Sequence, residues 1–274
     1  MLWILFSVHG AGIGAAVAAG QRSMHAALRT AAIAPAATGV WAIWSVFTNA
    51  EPRVYEITWV EALDLVIRFR TDSLALLMTA IVSGIGALVF VYATGYFSPG
   101  ATGGSRFAAS LLAFSTSMLG LVLADSVWTL FIFWELTSVT SFLLVGFNNT
   151  KVEVQNAARR ALMITGGGGL ALLAGLLLLG RSSGTTILTD LQPAEGTAGI
   201  LAALLILTAV ATKSAQVPFH VWLPGAMAAP TPVSAYLHSA TMVKAGVLLM
   251  AVTGSAFADV DAWKIVGLAL GIST

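Results

Sequence analysis

Three charged side chains stand among apolar neighbours. Glu135 lies inside Leu130-Phe-Ile-Phe-Trp-Glu-Leu-Thr-Ser-Val-Thr-Ser-Phe-Leu-Leu144, Lys213 ends the run Gly199 to Thr212, and Lys244 opens the run Val243 to Val252. A charge at the centre of a bilayer costs roughly 2.5–3.5 kcal/mol on insertion scales, so each needs a partner or water. Burial and a neighbouring opposite charge act in opposite senses on the proton affinity of a carboxyl or an amine. Moving a buried carboxylate and a buried amine relative to one another would therefore change the proton affinity of both, which is proton-transfer chemistry. The alternative is an ion pair that only fixes helix register. A buried pair is poor grounds for stability, because its desolvation cost often matches its Coulomb gain.

Two histidines interleave with the lysines. His220 follows Lys213 by seven residues, nearly the same face of an unbroken helix, and His238 precedes Lys244 by six. Each is either a packing residue or, with the lysines, a member of a proton relay. No spacing fits a metal site. Prolines at 218, 224, 230 and 232 each remove a backbone donor and interrupt an α-helix. A broken helix at membrane depth is tolerated only where it is buried in protein or lines a wet cavity. Thr137, Ser138, Thr140 and Ser141 trail Glu135; they either bond back to helix carbonyls or hold linking waters.

The wording Pro218-Phe-His-Val-Trp-Leu-Pro224 followed by Ala235-Tyr-Leu-His-Ser-Ala-Thr-Met-Val-Lys-Ala-Gly246 resembles the proton-antiporter module. That module is shared by the large A subunit of Mrp-type sodium/proton antiporters and the antiporter-like membrane subunits of respiratory complex I. The match is closer to the Mrp protein. The resemblance implies a Glu135–Lys213 pair, a further proton carrier at Lys244, an outer β-hairpin and an N-terminus facing out.

The elements that position these residues follow from composition. Of 274 residues, 58% are hydrophobic and only 9% charged, and the mean hydropathy is +0.90. A soluble domain is closer to a quarter charged, so this is a membrane protein. A net charge of +1 argues for no nucleic-acid or acidic partner, and the absence of cysteine excludes disulfides and thiolate metal sites. Apolar windows of about twenty residues place spans near 2–20, 31–49, 73–97, 107–124, 127–147, 159–180, 198–222 and 230–253, with a ninth starting near 262. The first twenty residues end like a secretory signal. No Lys or Arg precedes their apolar run, which favours a retained helix. A terminus at Thr274 leaves the last helix too short to span, so a longer parent chain is expected.

With the N-terminus out, the inner loops carry Arg22, Arg29, Arg106, Lys151, Arg159 and Arg160, and the outer loops Arg53, Arg68, Arg70, Arg181 and Lys264. Six against five is a feeble bias under the positive-inside rule. Residues 51–70 alternate in part, which suggests a short hairpin or strand. Asp72 at the entry to the third span is either a helix-terminal carboxylate favoured by the dipole or a proton access group. Gly10 to Gly14 and Gly166 to Gly169 read as helix-packing faces. Asn148-Asn-Thr150 reads as a helix-capping loop, and Arg159 with Arg160 as snorkelling to headgroups.

These readings combine into an all-α polytopic membrane bundle with a discontinuous helix near Lys213–Pro224. Residues 1–106 form the N-terminal helices with the outer loop or hairpin 51–70, and residues 107–274 an antiporter module that continues past Thr274. The expected function is proton translocation along Glu135, Lys213, His220, His238 and Lys244, with possible access at Asp72. The chain would work without cofactor, as one component of a hetero-oligomeric Na⁺/H⁺ antiporter in a bacterial plasma membrane. Expected partners are its sister subunits, H⁺, Na⁺ and lipid. A redox-driven pump component of complex I or a membrane-bound hydrogenase, or a scaffold that conducts nothing, are the alternatives.

Overall fold

The computed structural model describes residues 2–48, 50–63, 65–98, 100–148 and 150–274, with only the backbone of Leu63. Met1, Asn49, Asp64, Pro99 and Asn149 lie outside the described residues, and with Asn149 goes the middle of the Asn148–Thr150 capping loop. Eight helices among the described residues are long and apolar enough to cross a membrane. They are α1 (Leu2–Gly20), α2 (Met24–Phe47), α3 (Ser73–Tyr96), α4 (Gly104–Leu123), α5 (Val127–Val145), α6 (Val152–Ser183), α7 (Gly196–Lys213) and the span Thr231–Phe257. The short helix α8 (Trp222–Ala226) follows α7. The last span is itself composite: α9 (Thr231–Ala235), a π-helical turn at Tyr236–Ala240, and α10 (Met242–Thr253). α11 (Asp261–Ser273) begins where the ninth apolar run was expected.

Three boundaries differ from the hydropathy windows. Ser23 accepts a hydrogen bond from the Ala26 amide at 3.1 Å, so α2 starts at the cap, about two turns before the hydropathy window does. α6 begins at Val152, because its first turns are amphipathic and still bury Val154 and Ala158. α7 stops at Lys213 and does not run on to 222.

α4 is the most enclosed span, touched by α1, α2, α3, α5 and α10, while α5, α6 and α7 pack in succession beside it. Small residues set the closest approaches. A Cβ on Gly168 or Gly175 of α6 would strike Thr212 or Ile206 of α7, and one on Gly12 of α1 would come within 3.1 Å of Leu112. Within the glycine runs, Gly12 and Gly168 are thus packing positions, whereas a Cβ on Gly10, Gly14 or Gly167 would meet nothing within 4 Å.

The stretch 51–70 forms an antiparallel hairpin of β1 (Arg53–Val60) and β2 (Leu65–Thr71), with Tyr55 opposite Phe69 and Ile57 opposite Ile67. The free edge of β2 is not left open. Its Arg68 carbonyl accepts from the Asp125 amide at 2.9 Å, its Arg68 amide donates to Thr129 Oγ1 at 2.9 Å, and Ser126 Oγ donates to the Val66 carbonyl at 2.7 Å. Phe69 is buried between Trp3 and Phe6 of α1 and Phe133 of α5.

Candidate functional site

Lys213 is fully buried at the C-terminal end of α7, where the carbonyl ends of the helix favour a cation. Its ammonium donates to the Trp134 carbonyl at 3.0 Å and to Ser138 Oγ at 2.8 Å, and lies 4.9 Å from the centre of the Trp134 ring. These contacts come from one face of α5. Trp134 and Ser138 are four residues apart and so stack along that face.

Glu135 follows Trp134 by one residue and is therefore turned about 100° from it around α5. Among the described residues no ion pair joins the two side chains, although their charges are close enough to interact. The carboxylate lies against α6. Its Oε2 is 3.7 Å from where a Cβ on Gly166 would sit, and a Cβ on Gly169 would collide with Oε1. That Oε1 is enclosed and accepts no hydrogen bond. The site is a buried ammonium with hydrogen bonds but no contacting counterion, next to a carboxylate with one oxygen unpartnered in a glycine-lined recess.

The backbone beyond Lys213 breaks as its prolines require. Ala215 takes a left-handed φ of 53°, which costs a non-glycine residue roughly 1–2 kcal/mol. Carbonyls left open by the break find partners. Trp222 Nε1 donates to the Thr212 carbonyl at 2.9 Å, and the Gln216 amide to that of Ala211 at 2.8 Å. Ser214 Oγ donates to the Val243 carbonyl of α10 at 2.7 Å.

The remaining titratable groups are not gathered around this pair. His238 sits in the π turn, tilted against the Trp222 ring with centroids 5.8 Å apart. Among the described residues neither ring nitrogen makes a hydrogen bond. The π turn frees backbone carbonyls, and Thr241 Oγ1 donates to that of Tyr236 at 2.7 Å. Tyr236 itself donates to the Val82 carbonyl at 2.9 Å and to Ser115 at 3.0 Å. His220, in the turn Phe219–Val221, is exposed, and so is Lys244 in the first turn of α10. Asp72 caps α3, accepting from the Ala75 amide at 2.9 Å, with Arg70 Nε 3.4 Å from its other oxygen. It borders a small cavity of about 50 Å³ shared with Asp125, Thr189 and Val252. The hydroxyls of Thr137, Ser138, Thr140 and Ser141 all bond back to carbonyls of α5, and Ser138 accepts from Lys213 as well.

Sequence reasoning misses a buried carboxylate and a buried imidazole. Asp125 is buried in the three-residue junction between α4 and α5, paired with Arg68 Nε at 2.9 Å and accepting from the Thr189 amide at 3.3 Å. Its signal was a carboxylate between two spans with no loop to solvate it. His9 is fully enclosed in α1; its Nδ1 meets the Leu5 carbonyl at 2.9 Å and its Nε2 has no partner.

Residues 124–274, more than half of the chain and the part that holds every member of the site, match the family described as NADH:quinone oxidoreductase/Mrp antiporter, TM. The chain belongs to that family. Residues 57–108 match a second family of the same setting, the NADH-ubiquinone oxidoreductase (complex I) chain 5 N-terminus. Among curated relatives of this family, a probable K⁺/H⁺ antiporter A/B protein of Rhizobium meliloti (strain 1021) is 48% identical over 228 residues, covering 80% of this chain and 22% of the relative. The chain thus spans about a quarter of the length of the curated relatives it matches. Among solved structures, one chain of the Mrp complex from Dietzia sp. DQ12-45-1b superposes with a TM-score of 0.86 at 36% identity, covering 98% of this chain and 30% of that one. A chain of the archaeal membrane-bound sulfane sulfur reductase superposes with a TM-score of 0.81 at 20% identity, over 98% of this chain and 56% of that one, a likeness of fold alone. With eight helices long and apolar enough to cross a membrane among its described residues, the chain is a multi-pass membrane protein, and the relatives it matches carry the names of antiporter subunits.

Proposed function

We propose that this chain is the N-terminal, proton-carrying part of the large A subunit of a Mrp-type antiporter. It would work within a multisubunit complex in a bacterial plasma membrane, with its N-terminus outside. The observation that carries the reading is Lys213. A fully enclosed ammonium is held by a carbonyl and a hydroxyl while the nearest carboxylate faces another helix. If the pair served only stability, the two charges would be expected in contact, since removing both from water is repaid only by good geometry. Held apart, they can change partner. Glu135 turning from the glycines of α6 toward Lys213 favours the charged pair, and turning back favours a proton passing on.

His238 in the π turn and the exposed Lys244 and His220 extend the relay away from the pair, with Asp72 as a possible access group. Residues 107–274 would be the transport module and residues 1–106 its flank. Each charge crossing the full field is worth about 2.3 kcal/mol per 100 mV, enough to couple proton entry to Na⁺ exit. Because the name of one relative reads K⁺, the choice of cation belongs to the test. The test uses membrane vesicles bearing the whole complex. Lys213→Ala or Glu135→Ala should abolish cation-driven proton movement, measured with Na⁺ and with K⁺ in turn. Wild-type transport in either variant would refute the relay.

A further inference from the structure

At the end of the bundle opposite the hairpin, a cavity of about 350 Å³ opens between the start of α4, the end of α5 and the start of α6. Two guanidinium groups from different helices border it, Arg106 of α4 and Arg159 of α6, together with the polar Ser110 and Gln155. Among the described residues no carboxylate lines it and neither arginine is in an ion pair. Arg106 is held in place. Its Nη2 donates to the Phe147 carbonyl at 2.6 Å, and its guanidinium lies 4.8 Å above the Phe147 ring. That leaves most of its five donors for something in the cavity. Arg159 follows Gln155 by four residues, so both project from one face of α6.

The floor of the cavity is apolar, formed by Phe142 and Leu143, and from it two exposed apolar ridges run down the bundle. On α5 these are Leu143, Val139 and Leu136; on α6, Met163 and Leu170. An arginine pair over an uncharged polar rim suits a phosphate group. Apolar ridges descending from it suit hydrocarbon chains. A free anion would use the first and leave the second unexplained.

We propose that this cavity is a binding site for one anionic phospholipid, with the phosphate between Arg106 and Arg159 and the acyl chains along α5 and α6. The site goes beyond the general snorkelling of arginines at a membrane surface, because it assigns one lipid class to one cavity. It does not depend on the relay reading, since its readout is bound lipid and not transport.

The intact complex, extracted in mild detergent and stripped of lipid, is titrated with phosphatidylglycerol, phosphatidylcholine or inorganic phosphate, and bound lipid is counted by native mass spectrometry. Phosphatidylglycerol should bind at least about tenfold more tightly than phosphatidylcholine, a difference of about 1.4 kcal/mol. Arg159→Gln should remove that preference, while Arg160→Gln, which changes a charge outside the cavity, should keep it. Arg159 is exposed, so the variant should fold, and Arg106→Lys, which keeps a cation but loses the fork, provides a second variant expected to weaken binding. No preference for the anionic lipid, equal effects of the 159 and 160 variants, or competition by inorganic phosphate as strong as by lipid would each overturn the assignment. So would an Arg159→Gln complex that sheds one of its sister subunits while its lipid stays bound.

Discussion

Lys213 combines complete burial with hydrogen bonds supplied only by neutral groups. Exchanging both members of a buried charged pair for uncharged side chains is often neutral or stabilising, whereas removing one leaves the other uncompensated. Lys213→Met combined with Glu135→Gln should therefore leave the complex as heat-stable in detergent as the parent, or more so, while proton exchange in vesicles disappears. A role in folding alone predicts the reverse, stability lost with activity. The glycines that face Glu135 lead to a second expectation. A methyl on Gly169 would occupy the position of Glu135 Oε1, whereas one on Gly167 would meet nothing. Gly169→Ala should slow exchange by about tenfold, equivalent to about 1.4 kcal/mol, and Gly167→Ala should leave it unchanged, both read as initial rates of pH-gradient collapse.

At the scale of elements, the break after α7 and the hairpin were legible because prolines and period-two alternation act locally. The end of α7 was not, since Val217 to Trp222 is apolar enough to prolong a hydropathy window across a helix that has already ended at Lys213, ahead of the left-handed Ala215. The π turn was invisible for a related reason. Tyr236 to Ala240 has ordinary helix formers, and the extra residue per turn shows only once Thr241 and Tyr236 are placed. Glu135 and Lys213 could be picked out by charge, but their partners could not. A backbone carbonyl and one of four nearby hydroxyls carry no signal until α5 and α7 are packed together.

Asp125 tells the same story at the junction of α4 and α5. Burial works against the charge on Arg68, but Asp125 and Glu56 outweigh it and hold that guanidinium above its ordinary range. A raised value means that this stabilisation is complete below the ordinary pKa and is lost only in extreme alkali. Asp125→Asn should loosen the hairpin by about 1.5–3 kcal/mol, seen as faster proteolysis at Glu61–Leu63 in right-side-out vesicles.

For the whole molecule, orientation can be tested by cysteine labelling, because none of these 274 residues is a cysteine. With the N-terminus outside, Arg53→Cys in β1 should react with a membrane-impermeant maleimide added to intact cells. Lys151→Cys, ahead of α6, should react only after the membrane is opened, as judged by the mass of this chain. Labelling in the opposite order would invert the bundle. The hairpin end of the bundle carries a mechanical link. β2 is bonded to the junction that starts α5, and Phe69 is wedged against Phe133, two residues before the carboxylate of the site. A helix so anchored cannot shift or rotate without dragging the ribbon with it. An antibody fragment that clamps the ribbon would then act as a brake, halting ion exchange from the aqueous side without ever entering the lipid.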